Sequence, residues 1–326
     1  MSYPNVRLRR LRKTGKIREL LEEVRLSPKD LVCPVFVQED LKSKLQGESM
    51  PGFERLPLKD VVDEIHSIAE LKIPAIMVFG IPSHKDDQGT HAFVSDGIVQ
   101  KTISEIKENL GNEIAIMSDV CLCQYTISGH CGLVKGDTID NDPTLDTLAK
   151  IAVSHAQAGA DIVSPSAMMD GQVKAIRRAL DDAGFSDVAI MSNSAKHRSS
   201  FYSPFKDMAH SAPQFGDRKT YQLPYTNPKE AMREVETDIA EGVDIVMIKP
   251  ALAYLDLIAL TRQKFNIPIS AYSVSGEYAL VKAAAKQGWI DEKEVTLEIL
   301  TAIKRAGADM MITYFSKIAA KALDEK

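Results

Sequence analysis

Eight short apolar runs recur along the chain, and each is followed by a loop and then by a segment with helical spacing of its apolar residues. The runs span residues 31–37, 75–79, 114–118, 160–163, 188–191, 243–248, 267–271 and 308–313. Strands that are apolar on both faces are typical of parallel sheets covered by helices. Eight βα units in a row therefore predict an α/β protein built on a closed (β/α)8 TIM barrel.

Segments 59–71 and 143–158 carry apolar residues at helical spacing, as the covering helices of a barrel require. Three similar joints place Gly159, Gly242 and Gly307 between a helix and the next run. A chain of 326 residues also has room for two domains or for an open doubly wound sheet. An open sheet that binds a nucleotide would need a glycine-rich phosphate loop after an early strand, and the turn at residues 79–82 lacks one. We predict one barrel over residues 28–326, preceded by an arm over residues 1–27.

The arm is strongly basic, although the whole chain has a formal net charge of −5. Its cations are Arg7, Arg9, Arg10, Arg12, Lys13, Lys16 and Arg18. Such a run can bind phosphates, but Leu8 and Leu11 are interleaved with the charges and favour docking on a neighbouring subunit. We therefore expect self-association and no nucleic-acid partner. No apolar run approaches the roughly 18 residues of a membrane span, and the beginning lacks the apolar stretch of a secretory signal, so we expect a cytoplasmic protein with no membrane contact.

Catalytic residues of a barrel gather where its strands end, at the C-terminal face. The residues just past the predicted strands are Asp119, Ser164, Ser166, Ser192, Ser194, Lys196, Lys249, Tyr272, Ser275 and Tyr314. Two of them are lysines on neighbouring strands, where burial and mutual repulsion lower an amine pKa and make the amine nucleophilic. Lys249 is the sharper Schiff-base candidate because a buried apolar run precedes it. A lysine that extends to the barrel rim is the alternative, and it applies more strongly to Lys196, which lies in a hydroxyl-rich segment.

Three of the four cysteines lie close together after the third predicted strand. Cys121, Cys123 and Cys131 form a C-x-C-x₇-C pattern, and three thiolates that converge on one zinc ion leave its fourth position open, as in catalytic sites. The same cluster is compatible with redox activity or with simple burial. Cys33 lies on the first predicted strand and is expected in the core. His130 can be a ligand, a proton relay or a loop residue, and we do not assign it to the metal.

A long segment after the fifth run has the glycine, proline and aromatic content of a mobile lid. Lys206 and Arg218 flank it, and we expect such cations to meet an anionic substrate.

Together these motifs resemble the porphobilinogen synthase family, also called 5-aminolevulinate dehydratase, over essentially the whole chain. The segments that carry the resemblance cover residues 7–12, 34–37, 84–89, 119–123, 129–132, 164–166, 168–171, 194–196, 201–202, 216–219, 247–250 and 274–278. Their order and spacing are specific, although no single segment would suffice.

The resemblance implies a lyase that condenses two molecules of 5-aminolevulinate to porphobilinogen with loss of two waters, in tetrapyrrole and haem biosynthesis. It implies Schiff bases on Lys249 and Lys196, with Asp119 assisting proton transfer and Cys121, Cys123 and Cys131 holding a catalytic zinc. The substrate-binding residues that it implies are Lys206, Arg218, Gln222, Ser275, Tyr314, Ser166, Tyr202 and Tyr272. It further implies a homo-octamer, and a regulatory magnesium at Glu234.

Several residues depart from the family pattern. The family usually has arginine at the position of Lys206 and aspartate at the position of Ala167. The chain also departs from the pattern at Gln124, Ile127, Asn193, His197 and Arg198.

Two other functions stay open from the residues alone. A class I aldolase needs one Schiff-base lysine and no zinc cysteines, and a structural zinc protein or nucleic-acid module would act through the basic arm.

Overall fold

Eight parallel strands close into a barrel in the computed structural model, which describes residues 4–325. The strands are β1 (Leu31–Gln38), β2 (Ala75–Ile81), β3 (Ala115–Val120), β4 (Ile162–Pro165), β5 (Ala189–Lys196), β6 (Ile245–Lys249), β7 (Ile269–Ser273) and β8 (Met310–Thr313). Each strand pairs with the next along the chain, and β8 pairs with β1 through Leu31 opposite Met311. The predicted TIM barrel is confirmed.

Most of the helices lie between these strands, whereas the first precedes β1 and the last follows β8. They are α1 (Gly15–Leu20), α2 (Val61–Glu70), α3 (Ile98–Leu110), α4 (Asn141–Ala158), α5 (Gln172–Asp182), α6 (Ser203–Met208), α7 (Pro228–Ala240), α8 (Leu255–Lys264), α9 (Ser275–Lys286), α10 (Glu292–Ala306) and α11 (Ser316–Asp324). The predicted helices over residues 59–71 and 143–158 are confirmed as α2 and α4. The short strands Leu45–Gln46 and Glu54–Leu56 extend the sheet beside β1, and Val134–Lys135 pairs with Thr138–Ile139 in a hairpin.

The alternation of side chains along a strand divides the core into two layers. On β1, Val32 and Phe36 point into the barrel, where they pack with residues such as Met77 and Met247. The alternate residues Leu31, Cys33, Val35 and Val37 face the helices. Cys33 is therefore a core residue, as predicted, and every face of the strand is buried.

Glycines end three of the helices that lead into strands. Gly159, Gly242 and Gly307 have φ angles of 107°, 96° and 127°, in the region that disfavours a side chain. The chain turns there from α4, α7 and α10 into β4, β6 and β8. The predicted joints are confirmed.

The basic segment before the barrel has no buried residue in its helical parts, the 3₁₀ turn Leu8–Arg12 and α1. Leu8, Leu11 and Leu20 are 73%, 55% and 77% exposed. Residues 1–3 of the predicted arm and residue 326 of the predicted barrel lie outside the described residues. No helix within residues 4–325 combines the length and the apolarity that spanning a bilayer requires.

Candidate active site

A small cavity opens at the C-terminal ends of the barrel strands. It is lined by Phe79, Asp119, Cys123, Ser166, Lys196, Tyr202, Phe205, Arg218, Lys249, Tyr272, Val274, Ser275 and Tyr314. All the predicted catalytic and substrate-binding residues line this cavity except Lys206 and Gln222. Its volume is about 20 Å³, which holds roughly one water molecule. The side chains around the cavity therefore leave little free space in this structure.

Lys249 is the last residue of β6 and is 7% exposed. Its Nζ lies 4.0 Å from the centre of the Tyr272 ring and 5.7 Å from that of Phe205. The Tyr202 hydroxyl donates a hydrogen bond of 3.2 Å to the Lys249 carbonyl oxygen. Burial, together with repulsion from Lys196, lowers the pKa of Lys249 to about 7. A large share of this amine is therefore neutral, and nucleophilic, near neutral pH.

Lys196 is the last residue of β5 and is paired in register with Lys249 across the two strands. It is 5% exposed, and its Nζ donates a hydrogen bond to the carbonyl oxygen of Ser166. β5 runs five residues past the predicted end at residue 191, and its ladder with β6 continues at Ser192 and, after an irregularity at residues 193–194, at Ala195 and Lys196. Strand pairing thus brings the two amines side by side.

Asp119 lies on β3 close enough to both lysines for their charges to act on its pKa. Desolvation raises the pKa of Asp119, whereas a hydrogen bond with Ser166 and the charges of Lys249 and Lys196 oppose the rise. Gln124 donates a hydrogen bond of 3.4 Å to the Asp119 carboxylate and accepts one of 3.4 Å from the Cys123 thiol. Gln124 therefore connects the candidate acid with the cysteine cluster.

The thiols of Cys121, Cys123 and Cys131 converge within 4.8 Å of one another, and all three residues are buried. Hydrogen bonds from Cys121 and Cys123 lower the pKa of Cys131 well below its usual range, and the pKa of Cys121 rises in turn. A thiolate at Cys131 supplies the negative charge that a soft divalent cation requires. Within residues 4–325 this is the one group of three or more histidine, cysteine or acidic ligands so arranged.

A lid covers the cavity, and it comprises residues 197–227 between β5 and α7. Its Phe205 ring packs on Phe79 and Phe36, with ring centres 5.3 and 5.5 Å apart. The Ser275 hydroxyl accepts a hydrogen bond of 3.0 Å from the Phe205 amide and donates one of 3.1 Å to the Phe201 carbonyl oxygen. The lid is thus fastened at its base, and its aromatic ring closes the cavity over Lys249.

The cation of the lid that enters the cavity is Arg218, which is 8% exposed. Its Nη2 donates to the carbonyl oxygens of Gly129 at 2.9 Å and Ser211 at 2.6 Å. His130 interacts with the lid through Tyr221 and the Phe215 carbonyl, each at 3.0 Å. It therefore serves as a lid anchor in this structure, and the cysteine cluster does not include it.

Two predicted substrate residues and the predicted magnesium ligand lie elsewhere. Lys206 is half-buried on α6, where burial and repulsion from Arg218 lower its pKa. Gln222 and Glu234 line a second cavity of about 580 Å³. Gln222 is 3% exposed, and its Nε2 has no hydrogen-bond partner among the described residues. The closed lid therefore does not bring Lys206 or Gln222 to the lysines.

Sequence analysis missed three apolar residues of the cavity wall, Phe79, Phe205 and Val274. Phe79 ends the second predicted strand, and that position was a signal available in the sequence. The predicted site residues are polar residues past the strand ends and residues that the family resemblance implies, so apolar residues at the same face are not among them. The Tyr272 and Tyr314 hydroxyls lie 3.0 Å apart at the floor of the cavity.

Comparison with known proteins gives one consistent result. The family model described as delta-aminolevulinic acid dehydratase matches residues 5–322. The delta-aminolevulinic acid dehydratase of Archaeoglobus fulgidus is 52% identical over 321 residues, which cover 98% of this chain and 99% of the relative. The Bacillus subtilis protein of the same name is 52% identical over 325 residues and covers both chains fully.

Among solved structures, delta-aminolevulinic acid dehydratase (porphobilinogen synthase) from Toxoplasma gondii, in complex with the reaction product porphobilinogen, superposes with a TM-score of 0.95. It is 42% identical, and the match covers 97% of this chain and 91% of that chain. A dihydropteroate synthase from Coxiella burnetii superposes with a TM-score of 0.50 at 10% identity over 93% of each chain. That likeness concerns the barrel alone.

Proposed function

The chain belongs to the delta-aminolevulinic acid dehydratase family, whose members are lyases, and from that premise we propose how its own residues make porphobilinogen. Two molecules of 5-aminolevulinate form Schiff bases, one on Lys249 and one on Lys196. A metal ion at Cys121, Cys123 and Cys131 assists. The reaction supplies tetrapyrrole biosynthesis, including haem, and we place it in the cytoplasm.

The observation that carries the proposal is the register pairing of Lys249 with Lys196 in one closed cavity. Each amine attacks the ketone carbon of one substrate in its unprotonated form, and formation of each Schiff base releases one water. When the new bonds form at the two imine carbons, each lysine leaves as a free amine. Two substrates held on neighbouring strands react as an intramolecular pair, which favours carbon–carbon and carbon–nitrogen bond formation. An aldolase would need only one such lysine, so the pair favours a condensation of two like molecules.

Asp119 is suited to move protons in this site. The rise in its pKa brings the carboxyl closer to the range in which it can both hold and release a proton. Its closeness to both lysines places it beside both proposed Schiff bases. Ser166, which bonds Asp119 and accepts from Lys196 through its carbonyl, holds the group in place.

The cysteine cluster fits zinc by its donor set and its spacing. The three sulfurs lie within 4.8 Å of one another, so Cys121, Cys123 and Cys131 would hold one zinc ion together, and thiolates are ligands that zinc prefers. Cys123 lines the substrate cavity. Zinc held there would supply Lewis acidity beside a substrate amine.

The two substrate carboxylates need separate partners. We assign one to Lys206, Arg218 and Gln222 of the lid, and the other to Ser275 and Tyr314. Tyr202 and Tyr272 complete the apolar walls around Lys249. Because Ser275 bonds the base of the lid in the closed structure, substrate binding at Ser275 is coupled to a change in the lid.

Formation of porphobilinogen by the purified protein tests the function directly. The protein is given 5-aminolevulinate and zinc, and the pyrrole is followed by its colour reaction. Borohydride reduction followed by peptide mass spectrometry then locates the trapped substrate. Product together with adducts on Lys249 and Lys196 supports the proposal, and a folded, zinc-loaded protein that forms no product contradicts it.

We further propose that Glu234 binds a regulatory magnesium ion. Burial, with repulsion from Asp170, Asp238, Glu230 and Glu241, raises the pKa of Glu234 to about 7. The surplus of negative charge lines the 580 Å³ cavity. Magnesium keeps several waters and needs only one or two carboxylates, so this roomy acidic cavity fits it better than a closed cage would.

The Glu234→Gln variant is expected to melt a few degrees above the wild type at pH 8 without magnesium. The folded pKa of about 7 lies above the ordinary value of 4.5, so the folded state holds the extra proton and loses stability as pH rises through 7. The difference in melting temperature between the variant and the wild type should shrink at pH 5. Magnesium at pH 8 should raise the melting temperature of the wild type and not that of the variant.

Glu236→Gln is the matched control, because this exposed carboxylate lies on the same helix and pairs with Lys264 at 3.2 Å. It should respond to magnesium like the wild type. An equal magnesium response in Glu234→Gln would contradict the assignment.

We propose that residues 1–27 form an arm that docks on a neighbouring subunit in a homo-octamer, and that residues 28–326 form the catalytic barrel. Exposed Leu8, Leu11 and Leu20 support this proposal, since apolar side chains at such exposure gain from burial against another chain.

Deleting residues 1–12 is therefore expected to dissociate the octamer into smaller species, because Leu8 and Leu11 are removed. Light scattering measures the mass, and circular dichroism checks that the barrel stays folded. Unchanged mass accompanied by lost nucleic-acid affinity would instead support a nucleic-acid-binding arm.

A further inference from the structure

Glu277 joins two loops of the active site although it does not line the cavity itself. It lies in the first turn of α9 and is 2% exposed. Its Oε1 accepts hydrogen bonds from the backbone amides of Ala251 at 3.1 Å and Leu252 at 2.9 Å. Its Oε2 accepts one from the amide of Val274 at 3.2 Å. One carboxylate thus connects the loop that follows Lys249 with the loop that leads into α9.

The hydrogen bonds to Ala251 and Leu252 go beyond helix capping. A cap satisfies amides at the start of its own helix, and the bond to Val274 at the helix start is of this local kind. Ala251 and Leu252 lie 26 and 25 residues earlier, on another loop. Ala251 lies two residues after Lys249. Glu277 therefore fixes the position of the chain just after the strand end that carries the Lys249 amine.

The same turn of α9 also touches the base of the lid. Ser275 bonds both Phe205 and Phe201. A Cβ atom at Gly276 would lie 2.5 Å from the Cα of Phe201, so only glycine permits this approach. The first turn of α9 therefore holds both the loop that follows Lys249 and the base of the lid.

We propose that Glu277 is a positioning residue for Lys249. It holds the loop after Lys249 at a fixed distance from the lid that is seated on Ser275, so that Nζ meets the substrate ketone in attack geometry. Three backbone amides donate to the two carboxyl oxygens of Glu277. A glutamine at this position would turn an amino group toward at least one of them. The inference rests on the proposed function, in which Lys249 is a nucleophile.

Glu277→Gln is expected to lower kcat by about 10- to 100-fold, the order of loss that small misplacement of a reacting group causes. At saturating 5-aminolevulinate, borohydride trapping on Lys249 should slow by a similar factor. KM should change much less, since the residues assigned to the carboxylates are kept. Glu277→Asp keeps both oxygens on a shorter side chain and should lose less activity. It also carries the test if the glutamine variant does not fold.

Asp291→Asn is the matched control. Asp291 caps α10 by accepting from Glu294 at 2.8 Å within its own helix. The change should lower the melting temperature and leave kcat per folded protein unchanged. If Glu277→Gln and Glu277→Asp, like this control, lower the melting temperature and leave kcat unchanged, Glu277 is merely structural and the inference fails. If the wild type itself gives no adduct on Lys249, the lysine assignment fails, and this inference falls with it.

Discussion

Replacing Lys249 with methionine is expected to abolish porphobilinogen formation, with kcat reduced roughly 10⁴-fold or more, because the proposed covalent nucleophile is lost. Methionine keeps an unbranched apolar stem in the cage formed by Tyr272, Phe205 and Tyr202. Steady-state colour assays measure kcat, and borohydride trapping should leave an adduct on Lys196 alone.

The same variant should be at least as stable as the wild type at neutral pH. The folded pKa of about 7 lies below the ordinary 10.5, so the folded state binds fewer protons than the unfolded state between those values. Stability that is fully present above about pH 10.5 is therefore lost as pH falls through 7. Removing the buried amine relieves that loss, and thermal melting at pH 7 and pH 10.5 measures the difference.

Lys107→Met is a matched control for this experiment. Lys107 lies on α3, outside the barrel, and bonds Asp161 at 2.9 Å. The Lys107→Met substitution should lower the melting temperature and leave kcat unchanged. Activity retained in Lys249→Met would contradict the assignment of Lys249, whereas equal loss in both variants would point to a general effect of lysine removal.

Replacing Cys123 with serine is expected to reduce zinc content well below about one equivalent per chain. Activity should fall by roughly 10³-fold, because a Lewis acid contributes several kcal/mol to the transition state. A hard hydroxyl binds zinc more weakly than a thiolate does. Treatment of the wild type with a chelator should cause a similar loss, and added zinc should restore the activity.

Cys33→Ala separates this effect from the loss of any buried cysteine. Cys33 faces the helices, and burial raises the pKa of its thiol to about 11. This variant should keep its zinc and its activity. Full activity of the wild type in a chelator, with metal analysis confirming that zinc is gone, would remove the metal from the proposal.

The fold was largely predictable because one local signal repeats. Eight apolar runs of strand length, separated by helical segments, leave few arrangements that bury every run on both faces. The predicted strand ends were less accurate near the active-site cavity. β5 continues to Lys196 through buried Ser192, Asn193 and Ser194, whereas polarity suggested an end at residue 191. Buried polar side chains are tolerated in the strand because neighbouring groups bond them, as Ser164 and the Pro165 carbonyl oxygen do for Asn193.

The sequence by itself determined which reactive residues the chain contains and that they follow the strands, because a barrel carries its chemistry at the C-terminal ends. Only the tertiary structure decided which of them meet. Register between β5 and β6 places Lys196 beside Lys249, and closure of the lid brings Arg218 into the cavity while Gln222 stays outside it. Glu277 joins loops 25 residues apart. These relations depend on long-range packing and strand pairing, which local pattern does not encode.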